Sequence, residues 1–132
     1  MEAIDNKVRE KLEEVLLLNQ ELWGNPDRAE ENLSKAEDIL RTLLLTAPDH
    51  TLVMTSLAAV LCDRGRYDEA LHHLKRAEEL GSDDRHLFEN IGIVLMNKPG
   101  GKKTEALKYF EKASLLKANA LSITAYFDPH GH

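Results

Sequence analysis

Cysteine is almost missing from this 132-residue chain: Cys62 stands alone, so no internal disulfide can form. Aromatic residues make up only 5%, which argues against a β-sandwich, because strands favour aromatic and β-branched side chains. No run of about 18 apolar residues occurs, so no membrane-spanning helix is expected. The start, Met1-Glu2-Ala3-Ile4-Asp5, lacks the basic opening and apolar stretch of a secretory signal. These absences point to a reducing, cytoplasmic setting. Basic residues are outnumbered, 17 Lys and Arg against 23 Asp and Glu, for a net charge of −6. A nucleic-acid partner is not expected of such a surface, since binding to phosphates needs a basic footprint.

What is present fits a folded helical protein. Apolar residues make up 42% and charged residues 30%, too apolar a balance for a disordered chain. The length suits one domain, which buries roughly two thirds of the surface exposed by its unfolded chain. The charge is unevenly spread. Residues 1–48 carry 11 acidic and 6 basic side chains, residues 49–84 carry 8 and 4, and residues 85–132 carry 4 and 7. The front is acidic and the last third is basic.

The chain also repeats itself. Gly65-Arg66-Tyr67-Asp68-Glu69-Ala70-Leu71 opens a helix that continues through Leu74, Ala77 and Leu80 and stops at Gly81. Thr104-Glu105-Ala106-Leu107 opens a similar run through Phe110, Ala113 and Leu116. Upstream, Ser34-Lys35-Ala36 leads through Leu40 and Leu43 to Pro48. The small residue recurs at Ala36, Ala70 and Ala106, spacings of 34 and 36. Small residues at a fixed helical position let two helix backbones approach, while larger neighbours fill the space alongside. Recurrence at this interval means that helical hairpins stack and share a core. Each helix has a predecessor of helical periodicity: Leu52, Met54, Leu57, Ala58 and Leu61 before one, and Leu87, Phe88, Ile91, Gly92 and Leu95 before the next. Gly92 inside a helix predicts a close helix crossing. Asn97-Lys98-Pro99-Gly100-Gly101 predicts a loop that absorbs the two extra residues.

These residues resemble the tetratricopeptide repeat. Repeat two matches that family's pattern at Met54, Leu57, Ala58, Leu61, Gly65, Tyr67, Ala70, Leu74 and Ala77, with Ser82 where the family has proline. Repeat three matches at Phe88, Ile91, Gly92 and Leu95, then at Ala106, Phe110 and Ala113. Repeat one matches at Leu33, Ala36, Leu40, Leu43 and Pro48. Its first helix is out of register, a long amphipathic stretch over 3–23 bearing Ile4, Val8, Leu12, Val15, Leu16, Leu22 and Trp23. The resemblance implies an all-α superhelix, a solenoid of about three hairpins: repeat 1 over about 3–48, repeat 2 over 51–82, repeat 3 over 85–118, and a cap or tail over 119–132.

The family mostly binds peptides or partner proteins in the concave face lined by the first helix of each pair. Carried over by position, that groove is Leu52, Thr55, Ala59, Cys62, Asp63, His86, Glu89, Asn90, Ile93, Met96 and Asn97. Some members clamp the carboxylate tail of heat-shock chaperones with basic residues. Here only Asn90 fits that pattern, and Thr55, Ala59 and His86 stand where the basic residues would be, which argues against chaperone tails. At the end of the chain, Leu121, Ile123, Tyr126 and Phe127 suggest a short capping helix ended by Pro129, or a segment that docks into the groove of another copy.

No chemistry assembles elsewhere. His72 and His73 point about 100° apart on a helix and do not converge on one metal. His130 and His132 form no defined metal site. Cys62 has no base placed beside it and reads as a small buried hydrophobe. Gly100-Gly101-Lys102-Lys103-Thr104 lacks the first glycine and the preceding strand of a phosphate-binding loop. The expectation is therefore a non-enzymatic scaffold that needs no metal and no cofactor and binds a peptide or helix of another protein. The alternative is a homo-oligomer that assembles through its charge-asymmetric ends or its apolar tail.

Overall fold

The computed structural model describes residues 5–126. Its elements are α1 (Asn6–Gly24), a short 3-10 turn (Pro26–Arg28), α2 (Ala29–Thr46), α3 (Thr51–Asp63), α4 (Tyr67–Glu79), α5 (Arg85–Asn97) and α6 (Lys103–Ala113). Local sequence sets most of the boundaries. The Asp5 carboxylate caps α1 by accepting the amides of Lys7 and Val8 at 2.8 and 3.4 Å. Asn25 and Pro26 break the chain between α1 and α2, and Pro48 follows α2. Gly65 (φ +81°) and Gly81 (φ +91°) take the left-handed turns that end α3 and α4.

The helices pair as consecutive antiparallel hairpins, α1 with α2, α3 with α4 and α5 with α6; α2 also packs on α3, and α4 on α5. This is the solenoid that the repeat spacing implies. α3 is its centre, buried continuously from Leu52 to Cys62. That is why its sequence is apolar on all sides. α4 and α6 lie outside and bury only a stripe: Ala70, Leu74 and Ala77 in α4, Ala106 and Ala113 in α6. The recurring small residues Ala36, Ala70 and Ala106 are 4%, 0% and 0% exposed, at the helix contacts where a larger side chain would wedge the backbones apart.

Two glycines are explained by close approach. A Cβ on Gly92 would lie 2.8 Å from the Phe110 ring, so the crossing of α5 and α6 depends on its absence. A Cβ on Gly101 would lie 2.2 Å from the Leu95 carbonyl oxygen. Gly101 thus lets the loop pack against α5, and Gly100 before it takes a left-handed turn (φ +80°). Among the described residues no helix is long and apolar enough to cross a membrane.

The first two hairpins are also tied electrostatically. The nearly buried Glu37 of α2 meets Arg41 at 2.8 Å, Arg64 at 2.8 Å, and Arg66. Arg41 continues to Glu69 at 2.8 Å and Arg64 to Glu30 at 2.6 Å. Burial pushes the Glu37 carboxyl up, but Arg41 and Arg66 more than offset this and hold it below the usual 4.5. A lowered folded-state pKa contributes stability above the unfolded value and loses it as pH falls. Glu37→Gln, followed by chemical denaturation, is expected to cost about 2 kcal/mol at neutral pH. The gap to the parent should narrow as pH falls below 4.5. A gap that stays constant into acid would contradict the charge assignment.

Candidate functional site

The concave side is formed by α1, α3 and α5, and the chain's own C-terminal segment lies across it. The expected capping helix is not what the structure shows. After α6 ends, the chain turns back, and residues 122–126 run extended over the groove. Leu121, Ser122, Ile123 and Ala125 are buried there. The physical reason is hydrogen-bonding. An extended segment exposes backbone groups that a helix would satisfy internally, and the groove supplies side-chain partners for them.

Those partners can be followed along the segment. The Asp84 carboxylate caps α5 through the His86 amide at 3.1 Å. Its Oδ1 also accepts the Asn119 amide at 2.9 Å, and its Oδ2 accepts the Ser122 hydroxyl at 2.6 Å. His86 Nδ1 sits 2.9 Å from the same hydroxyl oxygen. With the Ser122 proton directed at Asp84, His86 is the donor. Arg85 N–H donates to the Lys117 carbonyl at 3.0 Å. Farther on, the Ile123 amide donates to Ser56 Oγ at 3.3 Å. Asn90 takes both sides of the next peptide units: its Nδ2 donates to the Ile123 carbonyl at 3.0 Å, and its Oδ1 accepts the Ala125 amide at 2.8 Å. The same Nδ2 lies 3.2 Å from the Thr55 carbonyl of α3. Asp63 Oδ1 accepts the Tyr126 amide at 2.7 Å.

The apolar anchor is Ile123. It is 5% exposed and closes one side of a narrow space among α1, α2 and α3 that is also bordered by Val15, Leu18, Leu22, Leu33 and Val60. Burying such a side chain contributes roughly 1.5–3 kcal/mol. Beside it, α5, α6 and the segment form an open trough of about 520 Å³, bounded by Glu89, Ile93 and Met96 of α5, Leu107 and Phe110 of α6, and Thr124 and Ala125 of the segment.

The sequence-named groove residues therefore divide into three groups. Thr55, Asp63, His86 and Asn90 gather around the extended segment. Glu89, Ile93 and Met96 line the trough, with Glu89 also 3.6 Å from Arg85. Leu52, Ala59 and Cys62 are buried in α3, and Asn97 donates back to the Ile93 carbonyl of its own helix at 2.8 Å. Sequence reasoning missed Ser56, Asp84 and Ser122. The available signal was a serine inside the otherwise apolar run of α3 and an aspartate at the start of α5.

Burial, with the neighbouring Asp63 charge, pushes the Cys62 thiol up to about 12, so it is a poor nucleophile at neutral pH. The His72 and His73 rings meet edge-on, with centroids 5.7 Å apart. Among the described residues no three His, Cys, Asp or Glu side chains converge on a metal position. His130 and His132 lie outside the described residues, as do Phe127 and Pro129. A second cleft of about 570 Å³ lies between the start of α1 and the end of α2, lined by Val8, Ile39, Thr42, Leu43 and His50. It opens beside Asp5, away from the segment.

Stacked antiparallel hairpins around a concave groove define a helical-repeat protein. A family model described as "Tetratricopeptide repeat" matches residues 27–88, from the turn before α2 into α5. Residues 27–88 thus carry the tetratricopeptide repeat, and such repeats generally mediate protein–protein interaction. The matched span includes Ser56, Asp63, Asp84 and His86 but ends before Asn90 and before the extended segment. No curated protein matches the chain.

Asp63 gives this site a pH dependence. Burial pushes its carboxyl from the usual 3.8 to about 7, against the opposing pull of the Tyr126 amide. A carboxyl with a raised folded-state pKa binds more protons when folded, so stability falls as pH rises from 3.8 to 7. Asp63→Asn keeps an acceptor for Tyr126 and removes the charge. Its melting temperature should exceed the parent's at pH 8, by about 4 °C for each kcal/mol gained, and the two should converge toward pH 4. Equal offsets at both pH values would contradict the assignment.

Proposed function

We propose that this chain is a non-catalytic adaptor that holds an extended segment of a partner protein in the groove between α1, α3 and α5. The observation that carries this reading is the use of side chains to satisfy a peptide backbone. Asn90, Ser56 and Asp63 all bond main-chain groups of an extended segment lying in the groove, and Asp84 bonds the Asn119 amide just before it. Apolar contact supplies affinity, and Asn90, with polar neighbours His86 and Glu89, supplies orientation. The non-catalytic part is supported by the raised thiol of Cys62, and a reducing compartment such as the cytoplasm suits this single unpaired cysteine. We read residues 1–132 as one unit of three hairpins with their tail.

The trough beside Thr124 and Ala125, where the segment meets α5 and α6, is open to a partner. A photo-cross-linking amino acid at position 96, on the trough wall, is expected to capture a partner segment, and the same label at Lys108 on the outside of α6 is not. Met96→Asp should reduce capture at a second trough position, Glu89, at least about tenfold while the circular dichroism stays helical. Cross-links formed equally from position 108 would sink the groove assignment.

A further inference from the structure

We propose that residues 119–126 are a built-in ligand of the groove, which a partner must displace, and that their order of side chains specifies what the partner presents. This rests on the groove reading above and adds to it a gate and a ligand chemistry.

The groove's polar groups are arranged for an extended backbone. Ser56, Asn90 and Asp84 are 0%, 0% and 6% exposed, and the segment takes up hydrogen-bonding capacity of each one. A segment needed only to cover apolar surface would call for apolar neighbours, since each buried polar group costs free energy unless it is matched. The side-chain positions are equally defined. A hydroxyl fits between Asp84 Oδ2 and His86 Nδ1. A branched aliphatic side chain, 5% exposed, packs at the narrow space bordered by Val15, Leu18 and Val60. Two residues later stands a small side chain, Ala125, 3% exposed at the edge of the trough. The chemistry recognised is therefore an extended segment reading hydroxyl, branched aliphatic, any residue, small, as in Ser122-Ile123-Thr124-Ala125.

Three features make this segment displaceable. It is joined to α6 by residues 114–118, which are exposed apart from the partly buried Leu116. It has no backbone ladder with any helix; over 122–126 its bonds to the rest of the protein run to side chains. The trough of about 520 Å³ borders Thr124 and Ala125, so an incoming segment has a foothold beside the occupied stretch. A ligand tethered on a short linker competes at an effective concentration on the order of millimolar, and a partner's apparent affinity falls by the fraction of time the groove is closed.

The test uses the full chain and a fluorescent synthetic peptide with the sequence of residues 119–126. Ser122→Asp places a second carboxylate against Asp84 and should release the segment while leaving every groove residue intact. By fluorescence anisotropy, the Ser122→Asp chain should bind the peptide at least about tenfold more tightly than the parent. A peptide with Asp in place of Ile123 should not bind. Equal binding to both chains would overturn the gate and leave the groove reading standing. No binding to a helical Ser122→Asp chain would overturn both. Should that variant lose its helical signal, the parent chain decides. Under millimolar unlabelled peptide, the nitrogen-15 resonances of Ile123, Ala125 and Tyr126 should move toward unstructured positions while those of α3 and α5 stay dispersed. Resonances that do not move would overturn the proposal. So would a parent chain that runs as a stable dimer with each segment in its neighbour's groove.

Discussion

The Asn90 side-chain amide holds the concave side together. Away from its helix ends, a groove made of helices has no unused backbone groups to offer, because the helices have spent theirs on themselves. Anything extended that lies there brings unpaired amides and carbonyls, and only side chains can meet them. Asn90 has both a donor and an acceptor on one planar group, and it bonds the Ile123 carbonyl and the Ala125 amide together. It also reaches the Thr55 carbonyl of α3. One buried residue thus joins α5, α3 and the C-terminal segment. Ser56, Asp63 and Asp84 extend the same principle along the groove.

The remaining architecture presents this surface. Small residues on α2, α4 and α6 bring the helix backbones close, and Gly92 lets Phe110 lie against α5. Lys75 of α4 reaches the Tyr109 hydroxyl of α6, and the Tyr109 ring stacks on Phe88 of α5 at 6.4 Å. The Glu37 network fixes the first hairpin against the second on the basis of charge. α1, α2 and α3 then border the narrow space that Ile123 closes on one side, so the segment completes the contact between the first hairpin and the centre of the fold.

Much of this was legible in the sequence, for reasons that differ by residue. Hairpins announce themselves through local periodicity and small residues spaced 34 and 36 apart, and Gly92 marked a crossing because glycine in a helix needs a reason. Asn90 was named through the family resemblance. The path of residues 119–126 was not legible. Leu121, Ile123 and Tyr126 suit a helix face as readily as a strand, and what decides between them lies far away in the chain. Ile123 bonds a residue 67 positions earlier, and Ala125 one 35 positions earlier. Ser56 and Asp84 were missed for the same reason: each looks local until the segment arrives. The burial of Leu52, Ala59 and Cys62 is equally a property of the folded arrangement, since position within a repeat says which helix face a residue occupies and not what covers it.

In the intact chain the extended segment is bonded through its backbone to groove side chains. Amide hydrogen exchange, read residue by residue by NMR on the full chain, tests it most directly. The account predicts that the amides of Ile123, Ala125 and Tyr126 exchange more slowly than those of exposed Lys117 and Ala118, yet faster than the core amides of α3 and α5, because they open without global unfolding. Exchange of these three amides at the rate of an unstructured chain would contradict it.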